Sequence, residues 1–475
     1  MKLRKIYKQK KNIINLLKKI LLLEGCASVS VVGSFAENKD ISNIGDLDIV
    51  VISNTISKIF LKKCKSLIKK HKFQTKKKVK INNSFGPVKY NNFFFFTVHL
   101  MVYDIKGHID HVIKSPFTCY DWERKNINLG KSLTEIYPVN KLQLIDFFNS
   151  RRAVNNHYKD IKDEVVSTYS YRFTKKGYSL KHKKIKLNKL NKLSYCKHIC
   201  NHTINNFYKF VTQKNSKIKK NTLKNFLSSQ NLENTFSKKI NNLNDNKAQT
   251  TINNTKMFLN KFFLRLKHIK KQSNTISFIR HAKTRFNNNS FLGRKRNVSI
   301  ISFKNKDKFN YDEILCSPLL RSIQTAKKFR SKKITIKNVL TEINYGDAEG
   351  LNIKQLKHLY PKMIKDWSLK KDPKFPKGEN LSMVLNRVNK FIKFLSLNLK
   401  NKKSKKYLII THNVFIRCLL GSFFRIKCSD WFKLKINHLS KFDFILLNGK
   451  IIPNIDRKTL KKVMNYKINE LSSIN

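Results

Sequence analysis

In the last third of the chain, three groups of polar residues each follow a short apolar run. TISFI is followed by Arg280 and His281, YDEILC by a segment that contains Arg321, and KYLII by His412. Two guanidiniums and two imidazoles in one place suit a phosphate dianion, because arginine holds phosphate oxygens and a neutral histidine can attack phosphorus. The leaving oxygen needs a proton, and Glu342 is the candidate acid and later the base for water.

These polar groups meet only if the fold brings the ends of the three apolar runs together. Strands that are buried on both faces have continuous apolar sequences, so we predict a three-layer α/β fold with a mostly parallel sheet. Ligands of such sheets bind outside the carboxyl ends of the strands. After the second run, we expect Ser317 to cap a helix that has Pro318 in its first turn.

The order of these motifs resembles that of the histidine phosphatase superfamily, the phosphoglycerate-mutase-like phosphatases. RHAKTRFN is similar to the family's RHGxTxxN, and SPLLRSIQTA, LTEINYGDAEG, PKGENLSMVLNRV and THNVFIR follow in the family's order. The resemblance implies that His281 accepts the phosphoryl group and that Glu342 donates the proton. It implies that Arg280, Arg321 and His412 form the phosphate pocket, without a metal or other cofactor. Substrate contacts are implied for Thr284, Asn287 and Asn413.

This segment departs from the family pattern at two positions and in the length of one interval between motifs. Ala282 stands where the motif usually has glycine, which is tolerable if φ stays negative, and Asn380 replaces the usual serine of GENL. The interval between Glu342 and His412 is 70 residues, shorter than in the family's mutases. The resemblance therefore implies hydrolysis rather than phosphoryl transfer within the substrate.

A second candidate site lies near the start of the chain, in VVGSFAENKDISNIGDLDIVVI. Asp46 and Asp48 begin an apolar strand, and alternate strand residues share a face, so the two carboxylates point together and favour a bound cation. Gly33 and Ser34 end the preceding strand and are expected to open a helix whose amides meet phosphates.

The same stretch resembles the nucleotidyltransferase superfamily that includes DNA polymerase β, with its pattern of GS followed by DxD. The resemblance implies a small α/β domain in which Mg²⁺ bridges Asp46 and Asp48 to a nucleoside triphosphate, with Gly33 and Ser34 at the nucleotide. The family has a third carboxylate on a neighbouring strand. Here the mid-strand position is His99, and Asp104 at the strand end is the remaining candidate metal ligand. The alternative is a structural role in which Asp46 and Asp48 cap a turn.

The chain as a whole is predicted to be a multidomain α/β protein with a helical middle. We predict a nucleotidyltransferase-like domain at 1–120, a helical, basic, low-complexity middle and linker at 121–255, a histidine phosphatase domain at 256–455, and a C-terminal tail at 456–475. In the middle region, CKHICNH has helical spacing with Cys196 and Cys200 on one face. This spacing favours packing over a zinc site.

The formal charge of +71 would ordinarily indicate a nucleic acid or an anionic membrane as partner. Lysine is plentiful in every segment, including the core elements, so the charge fits a compositional bias better than a selected surface. Apolar runs are interrupted by lysine before they reach the length of a membrane span. The eight cysteines do not form a disulfide framework and fit a reducing, cytoplasmic compartment.

The sequence thus predicts a phosphomonoester hydrolase that works through a phosphohistidine, fused to a domain that binds or transfers a nucleotide. The expected partners are a small phosphorylated metabolite and a nucleoside triphosphate, and no membrane. The alternative is a nucleic-acid-binding protein with a basic helical middle and degenerate catalytic domains. No GxxxxGK[ST] loop is present, which argues against a P-loop NTPase.

Overall fold

A computed structural model describes residues 2–86, 95–139, 141–174, 177–232, 248–286, 290–305 and 307–465. The described residues form two compact units, the N-terminal unit within Met1–Lys267 and the C-terminal unit within His268–Tyr466. The region predicted as the middle, 121–255, therefore lies in the same unit as the N-terminal sheet. Among the described helices, none is long and apolar enough to cross a bilayer.

The N-terminal unit is built on a five-stranded mixed sheet. Its strands are β1 (Cys26–Val32), β2 (Asp46–Ser53), β3 (Lys78–Asn82), β4 (Phe95–Asp104) and β5 (Ile127–Gly130), in the spatial order β3-β4-β2-β1-β5. β2 and β3 run parallel to β4, whereas β1 is antiparallel to β2 and β5. β2 and β4 are almost wholly buried, as their continuous apolar sequences require.

Amphipathic helices cover this sheet. In Lys2–Leu21 the residues Ile13, Leu16, Leu17 and Ile20 recur at helical spacing and are buried in the sheet's core, while the lysines between them face water. The other helices of this unit are Lys58–Lys70, Ile105–Lys114, Pro116–Arg124, Leu133–Ile136, Asp146–Asn149, Val154–Lys162, Lys189–Thr212, Lys220–Ser229 and Ala248–Gln272.

The middle region also contains a β-hairpin, which the sequence analysis did not predict. β6 (Val165–Thr174) pairs antiparallel with β7 (Gly177–Lys186), and Tyr171, Phe173 and Tyr178 pack against the core of the five-stranded sheet. The alternating polar and apolar residues of VVSTYSYRF are typical of such a strand. The hairpin therefore packs on the N-terminal core, within a middle region that is otherwise mostly helical, as predicted.

The C-terminal unit contains a six-stranded sheet in the order β12-β10-β13-β8-β14-β15. Its strands are β8 (Asn274–Arg280), β10 (Glu313–Cys316), β12 (Ile334–Ile336), β13 (Lys406–Thr411), β14 (Lys441–Leu447) and β15 (Lys450–Pro453), and β9 (Asn310–Tyr311) pairs with β11 (Arg330–Ser331) in a separate small sheet. The first four strands in the spatial order are parallel, and β14 and β15 are antiparallel additions. The sheet is mostly parallel, as predicted.

Six helices accompany this sheet: Leu320–Ala326, Ile353–Leu359, Pro361–Ser368, Leu381–Leu399, Asn413–Phe423 and Arg457–Val463. Leu381–Leu399 buries Val384, Val388, Phe391 and Leu395 along one face, and the side chain of Asn380 caps it by accepting from the Met383 amide. Asparagine is among the preferred capping residues, so this departure from the family pattern keeps the cap. Arg457–Val463 is packed, with Leu460 buried, at the start of the predicted tail; residues 466–475 lie outside the described residues.

Candidate active site

The carboxyl ends of β8, β10 and β13 lie side by side in the C-terminal unit. Arg280 is opposite Thr411 in the parallel register of β8 and β13, and Cys316 is opposite Ile410 in that of β10 and β13. The residues that follow these ends are thereby brought to one edge of the sheet, and the rings of His281 and His412 have centroids 5.0 Å apart. The predicted convergence of the three runs is confirmed.

His281 is held as a neutral imidazole with one nitrogen committed. Its Nδ1 lies 2.7 Å from the carbonyl oxygen of Ala282, and because a carbonyl only accepts, Nδ1 carries the proton and Nε2 keeps its lone pair. The residue is 3% exposed, and burial followed by the charge of Arg321 holds the pKa of His281 well below its usual range. Ala282 has a negative φ, so alanine is tolerated at the family's glycine position.

Arg280 and Arg321 bring two positive charges to this imidazole, and Arg280 is partly exposed. Arg321 is fully buried and donates to the carbonyl oxygens of Gly293 (2.8 Å) and Arg296 (3.2 Å), while Arg280 donates to that of Ile436 (2.6 Å). Within the part of the chain that the structure describes, the Nε atom of each guanidinium is buried without a hydrogen-bond acceptor. Neither arginine has a carboxylate partner at salt-bridge distance among those residues. A bound anion would supply the missing acceptors.

His412 is the second buried imidazole of the pocket. Its Nε2 lies 2.8 Å from the hydroxyl of Ser317, and its Nδ1 is buried with no partner among the described residues. Burial followed by the neighbouring His281 holds the pKa of His412 well below its usual range. The prediction that Ser317 caps a helix is wrong, because that helix begins at Leu320 and is preceded by Leu319 as its N-cap.

Glu342 is a buried carboxyl group bound by backbone amides. It accepts hydrogen bonds from the amides of Ile343 (3.0 Å), Asn413 (3.1 Å) and Val414 (3.1 Å), the last two at the start of the helix after β13. Burial raises the pKa of Glu342 despite these amides and the charges of Arg321 and Arg280. The carboxyl therefore keeps its proton to higher pH than an exposed glutamate, as a general acid must.

A salt-bridge network fixes the loop that carries Glu342. Glu379 accepts from Arg294 at 2.8 Å and from Arg387 at 3.1 Å, and Arg294 also donates to the backbone oxygen of Glu342 at 2.8 Å. Arg387 donates to the backbone oxygen of Thr341 at 3.2 Å. The position of Glu342 thus depends on residues from three separate segments.

The three predicted substrate contacts have different outcomes. The Thr284 hydroxyl donates to the backbone oxygen of Phe286 at 3.0 Å, within its own loop. Asn287 lies outside the described residues. Asn413 begins the helix after β13, and its side-chain oxygen is buried without a partner in the described part of the chain. Asn413 thus has a polar atom to offer a ligand.

The sequence analysis missed several residues of this pocket. His438 has its Nδ1 3.0 Å from the backbone oxygen of His281, and the two ring centroids are 5.3 Å apart. The hydroxyl of Thr325 accepts a hydrogen bond from the Ala282 amide (3.0 Å) and donates one to the Arg321 carbonyl oxygen (2.6 Å). Thr325 thereby connects the end of β8 to the helix that carries Arg321. A single histidine or threonine carries no motif. His438 is identified only by the pairing of β14 with β8, and Thr325 only by the packing of its helix against the end of β8.

In the N-terminal unit, the predicted nucleotide and metal residues lie around the turn between β1 and β2. Residues 33–38 form turns rather than the predicted helix. Gly33 has φ of +76°, and a Cβ there would lie 2.5 Å from Oδ2 of Asp48, so the position requires glycine. Gly33, Ser34, Asp46 and Asp48 line one cavity of about 870 Å³.

The residues around Asp48 do not fit the Mg²⁺ site that the resemblance implies. His99 is opposite Asp48 in the register of β2 and β4, and its Nδ1 lies 3.1 Å from Oδ1 of that carboxylate. Asp104 is opposite Ser53 and lies five residues after His99 on β4, so it is roughly 16 Å from the position of His99. It caps the helix Ile105–Lys114 instead, so the prediction that Asp104 is a metal ligand is wrong. No group of three ligating side chains that could hold a metal occurs among the described residues.

Comparison with known proteins identifies the C-terminal segment. Residues 303–445 match the model of the histidine phosphatase superfamily (branch 1). An acid phosphatase of Mycobacterium tuberculosis is 28% identical over 129 residues, which are 27% of this chain and 56% of that protein. The chain thus spans little more than half the length of this curated relative.

Several solved structures are similar to part of this chain at low sequence identity. A putative alpha-ribazole-5'-P phosphatase from Escherichia coli is 17% identical with a TM-score of 0.34, over 38% of this chain and 95% of that chain. A phosphoserine phosphatase mutant from Entamoeba histolytica is 20% identical with a TM-score of 0.33, over 39% and 98%. Residues 303–445 of this chain belong to the histidine phosphatase superfamily.

Proposed function

We propose that the C-terminal unit hydrolyses phosphomonoesters through a phosphohistidine formed at His281. The observation that carries this proposal is a neutral imidazole, with Nδ1 committed to a carbonyl, beside two guanidiniums whose Nε atoms are buried without an acceptor among the described residues. Guanidiniums in such a water-poor site stabilise the charge of a transferring phosphoryl group.

The reaction proceeds in two balanced steps. Nε2 of His281 attacks phosphorus and forms an N–P bond while the ester P–O bond breaks, and Glu342 gives its proton to the leaving alkoxide oxygen. Glu342, now a carboxylate, then takes a proton from water, whose oxygen attacks the phosphohistidine. The N–P bond breaks, inorganic phosphate leaves, and both residues return to their starting forms. Arg280, Arg321 and His412 hold the phosphoryl oxygens throughout.

The substrate is proposed to be a small phosphorylated metabolite. Burial raises the pKa of Tyr345, and the charge of Glu342 raises it further, so the two side chains lie close to each other. The ring of Tyr345 packs against those of Phe291 and Phe375, each with centroids 4.9 Å away. An apolar wall beside the general acid favours an ester whose leaving group has an apolar face.

Phosphate release from a panel of small phosphoesters, measured in the presence of a chelator, tests this function. Wild type is expected to turn over at least one ester, and His281→Ala to lose that turnover. His358→Ala is the matched control, because His358 is an exposed histidine on the helix Ile353–Leu359 of the same unit. Equal turnover by wild type and His281→Ala would reject the phosphohistidine.

As a second function, we propose that the N-terminal unit binds a nucleotide. The supporting observation is that the Gly33–Ser34 turn and the two carboxylates of β2 line the same cavity. Nucleotide transfer, which the resemblance also implies, requires a third carboxylate where the chain has His99, so the proposal is restricted to binding. Calorimetry with ATP, with and without Mg²⁺, tests it. Absence of binding under both conditions would leave this unit without a nucleotide function.

The nucleic-acid-binding alternative has its own test. Binding of the full chain to RNA that weakens steeply as salt rises would support it, because phosphate contacts release counterions. Retention that does not respond to salt, or no retention, would count against it.

A further inference from the structure

The cavity of the N-terminal unit extends from the Asp48 turn into the helices of the middle region. Its volume of about 870 Å³ is in the upper part of the range for small-molecule sites. The side chains that line it in the middle region are mostly basic. They include Arg151, Arg152, His157, His198, His202 and Lys209.

The acidic side chains in this part of the cavity already have partners. Glu37 accepts from Arg124 and, at 2.8 Å, from Lys217. Asp121 is paired with Lys209, whose side chain is only 1% exposed. Asp160 accepts from Ser167 at 2.9 Å and from Tyr195 at 3.0 Å. The charges of Glu37 and Asp121 are therefore already matched by cations, whereas Asp160 is held by neutral hydroxyls.

Arg151 and Arg152 are two cations of this cavity that have no ion pair among the described residues. The guanidinium of Arg151 lies over the ring of Tyr169, 4.4 Å from its centroid. Arg152 has no hydrogen bond or ion pair from its side chain to any described residue, although it is only partly exposed and lines the cavity. A ligand anion would give this partly buried guanidinium a counterion and a bidentate acceptor.

Two buried histidines next to Arg152 are kept neutral and can serve as hydrogen-bond donors. Burial, followed by the charge of Arg152, lowers the pKa of His157 to about 3, and the same two causes hold that of His202 well below its usual range. Nε2 of His157 is buried without a partner among the described residues, and the rings of His157 and His202 have centroids 5.7 Å apart.

We propose that the Arg151–Arg152 end of this cavity binds the phosphate group of a phosphate ester, and does so without a divalent cation. Arg152 supplies the charge and a bidentate donor, Arg151 a second charge, and His157 a neutral donor. The carboxylate that would otherwise attract a cation, Asp48, is neutralised by His99 within the same unit. This site lies in the same cavity as the turn at Gly33, but the proposal is argued from Arg151, Arg152 and His157 and does not require that a nucleotide binds.

Equilibrium dialysis of the full chain against radiolabelled inorganic phosphate in EDTA tests the site. We expect the number of phosphate ions bound per chain to fall by one in Arg152→Ala. Arg172→Ala is the matched control, because Arg172 is an exposed arginine of β6 outside the cavity, and it should bind as many as wild type. Circular dichroism of each variant shows whether it is folded.

Arg152→Lys serves as the second variant should Arg152→Ala not fold. It keeps the charge but loses the bidentate fork, so affinity for phosphate should fall by about tenfold while the site remains countable. Equal phosphate binding by wild type and a folded Arg152→Ala would overturn the proposal. A requirement for Mg²⁺ would overturn its cation-free form.

Competition identifies the form of the ester, in a His281→Ala background that prevents turnover. Displacement of phosphate by methylphosphonate, which has no ester bond to hydrolyse, supports a phosphomonoester as the ligand. Displacement by inorganic tripolyphosphate at much lower concentration supports the terminal phosphate of a polyphosphate. If neither competes, the site takes free phosphate only and the proposal of an ester ligand fails. Each outcome is measured as phosphate binding that is lost when Arg152 is replaced. The outcomes therefore do not depend on hydrolysis at His281 and can be measured without ATP.

Discussion

The pocket of the C-terminal unit and the cavity of the N-terminal unit assemble basic groups in different ways. In the C-terminal pocket, Arg280, His281 and His412 lie at strand ends, and the parallel register brings them together. In the N-terminal cavity, the groups at the start of β2 are acidic, and basic residues such as Arg152 come from segments much later in the chain.

This difference shows why similar ingredients support different chemistry. The C-terminal pocket brings an imidazole with a free lone pair and a carboxyl group with a raised pKa into one buried site, as the proposed hydrolysis requires. The N-terminal cavity offers charge and hydrogen-bond donors, but the histidine beside its carboxylates, His99, is bonded through both ring nitrogens, to Asp48 and to the backbone oxygen of Ser84. We therefore expect catalysis in the first and binding in the second.

The largest effect that separates the two sites is expected from Glu342→Gln. The amide retains the shape of the carboxyl group but has no proton to give, so turnover of an alkyl phosphate should fall by about 10² to 10⁴. Turnover of p-nitrophenyl phosphate should fall less, because its leaving group needs no proton. Steady-state kinetics with both esters measures the contrast. An equal loss with both esters would count against proton donation to the leaving group, because the second step, in which Glu342 takes a proton from water, is common to both esters.

The pH dependence of kcat/KM is the next test. Because the pKa of His281 is lowered, the nucleophile stays neutral through the acidic range, and because that of Glu342 is raised, the acid stays protonated above the usual pKa of a glutamate. The rate with an alkyl phosphate should therefore be high at acidic pH and fall by about tenfold per unit once pH exceeds the pKa of Glu342. A rate that rises from pH 6 to pH 9 would contradict these assignments.

The C-terminal site was largely predictable because its residues adjoin strands that the sequence marks clearly. Arg280, His281, Arg321 and His412 each follow an apolar run, and parallel strands necessarily bring such positions to one edge. Glu342 was chosen because the leaving oxygen needs a proton donor, and the family resemblance implied the same role. What the sequence could not show is the surrounding support, such as Thr325, whose two hydrogen bonds depend on the packing of a helix against the strand end.

In the N-terminal unit, the limits came from register and from long-range contact. Asp104 was assigned to the metal site because it ends the strand that contains His99, but strand length decides whether two residues meet, and sequence does not give the register. The hairpin Val165–Lys186 alternates clearly, yet its lysine-rich second strand is almost fully exposed and resembles the polar segments around it. Arg152 follows no periodic pattern.

Asp48→Asn tests whether the carboxylate of Asp48 binds a metal ion or forms an ion pair with His99. Removal of the charge should lower the free energy of unfolding of the N-terminal unit by about 1.5 to 3 kcal/mol, the usual value for a hydrogen bond to a charged group. Thermal unfolding followed by the fluorescence of Trp122, the tryptophan of that unit, measures the change. Asp163→Asn, which breaks an exposed pair with Lys184, should change stability by less than about 1 kcal/mol. Loss of Mg²⁺ binding without loss of stability would restore the metal assignment.

The smallest effect is expected from Asp104→Ala. This variant distinguishes the loss of a helix cap from the loss of a metal ligand. Asp104 accepts from the amide of Gly107 and, at 2.7 Å, from the hydroxyl of Tyr178, so alanine should lower the free energy of unfolding by about 1 kcal/mol through loss of the helix cap. Asp104→Asn should restore most of this stability, since asparagine also caps helices. Phosphate binding in EDTA should be the same in both variants. Were Asp104 part of a cation site, asparagine would be as damaging as alanine, because the lost charge and not the cap would decide the outcome.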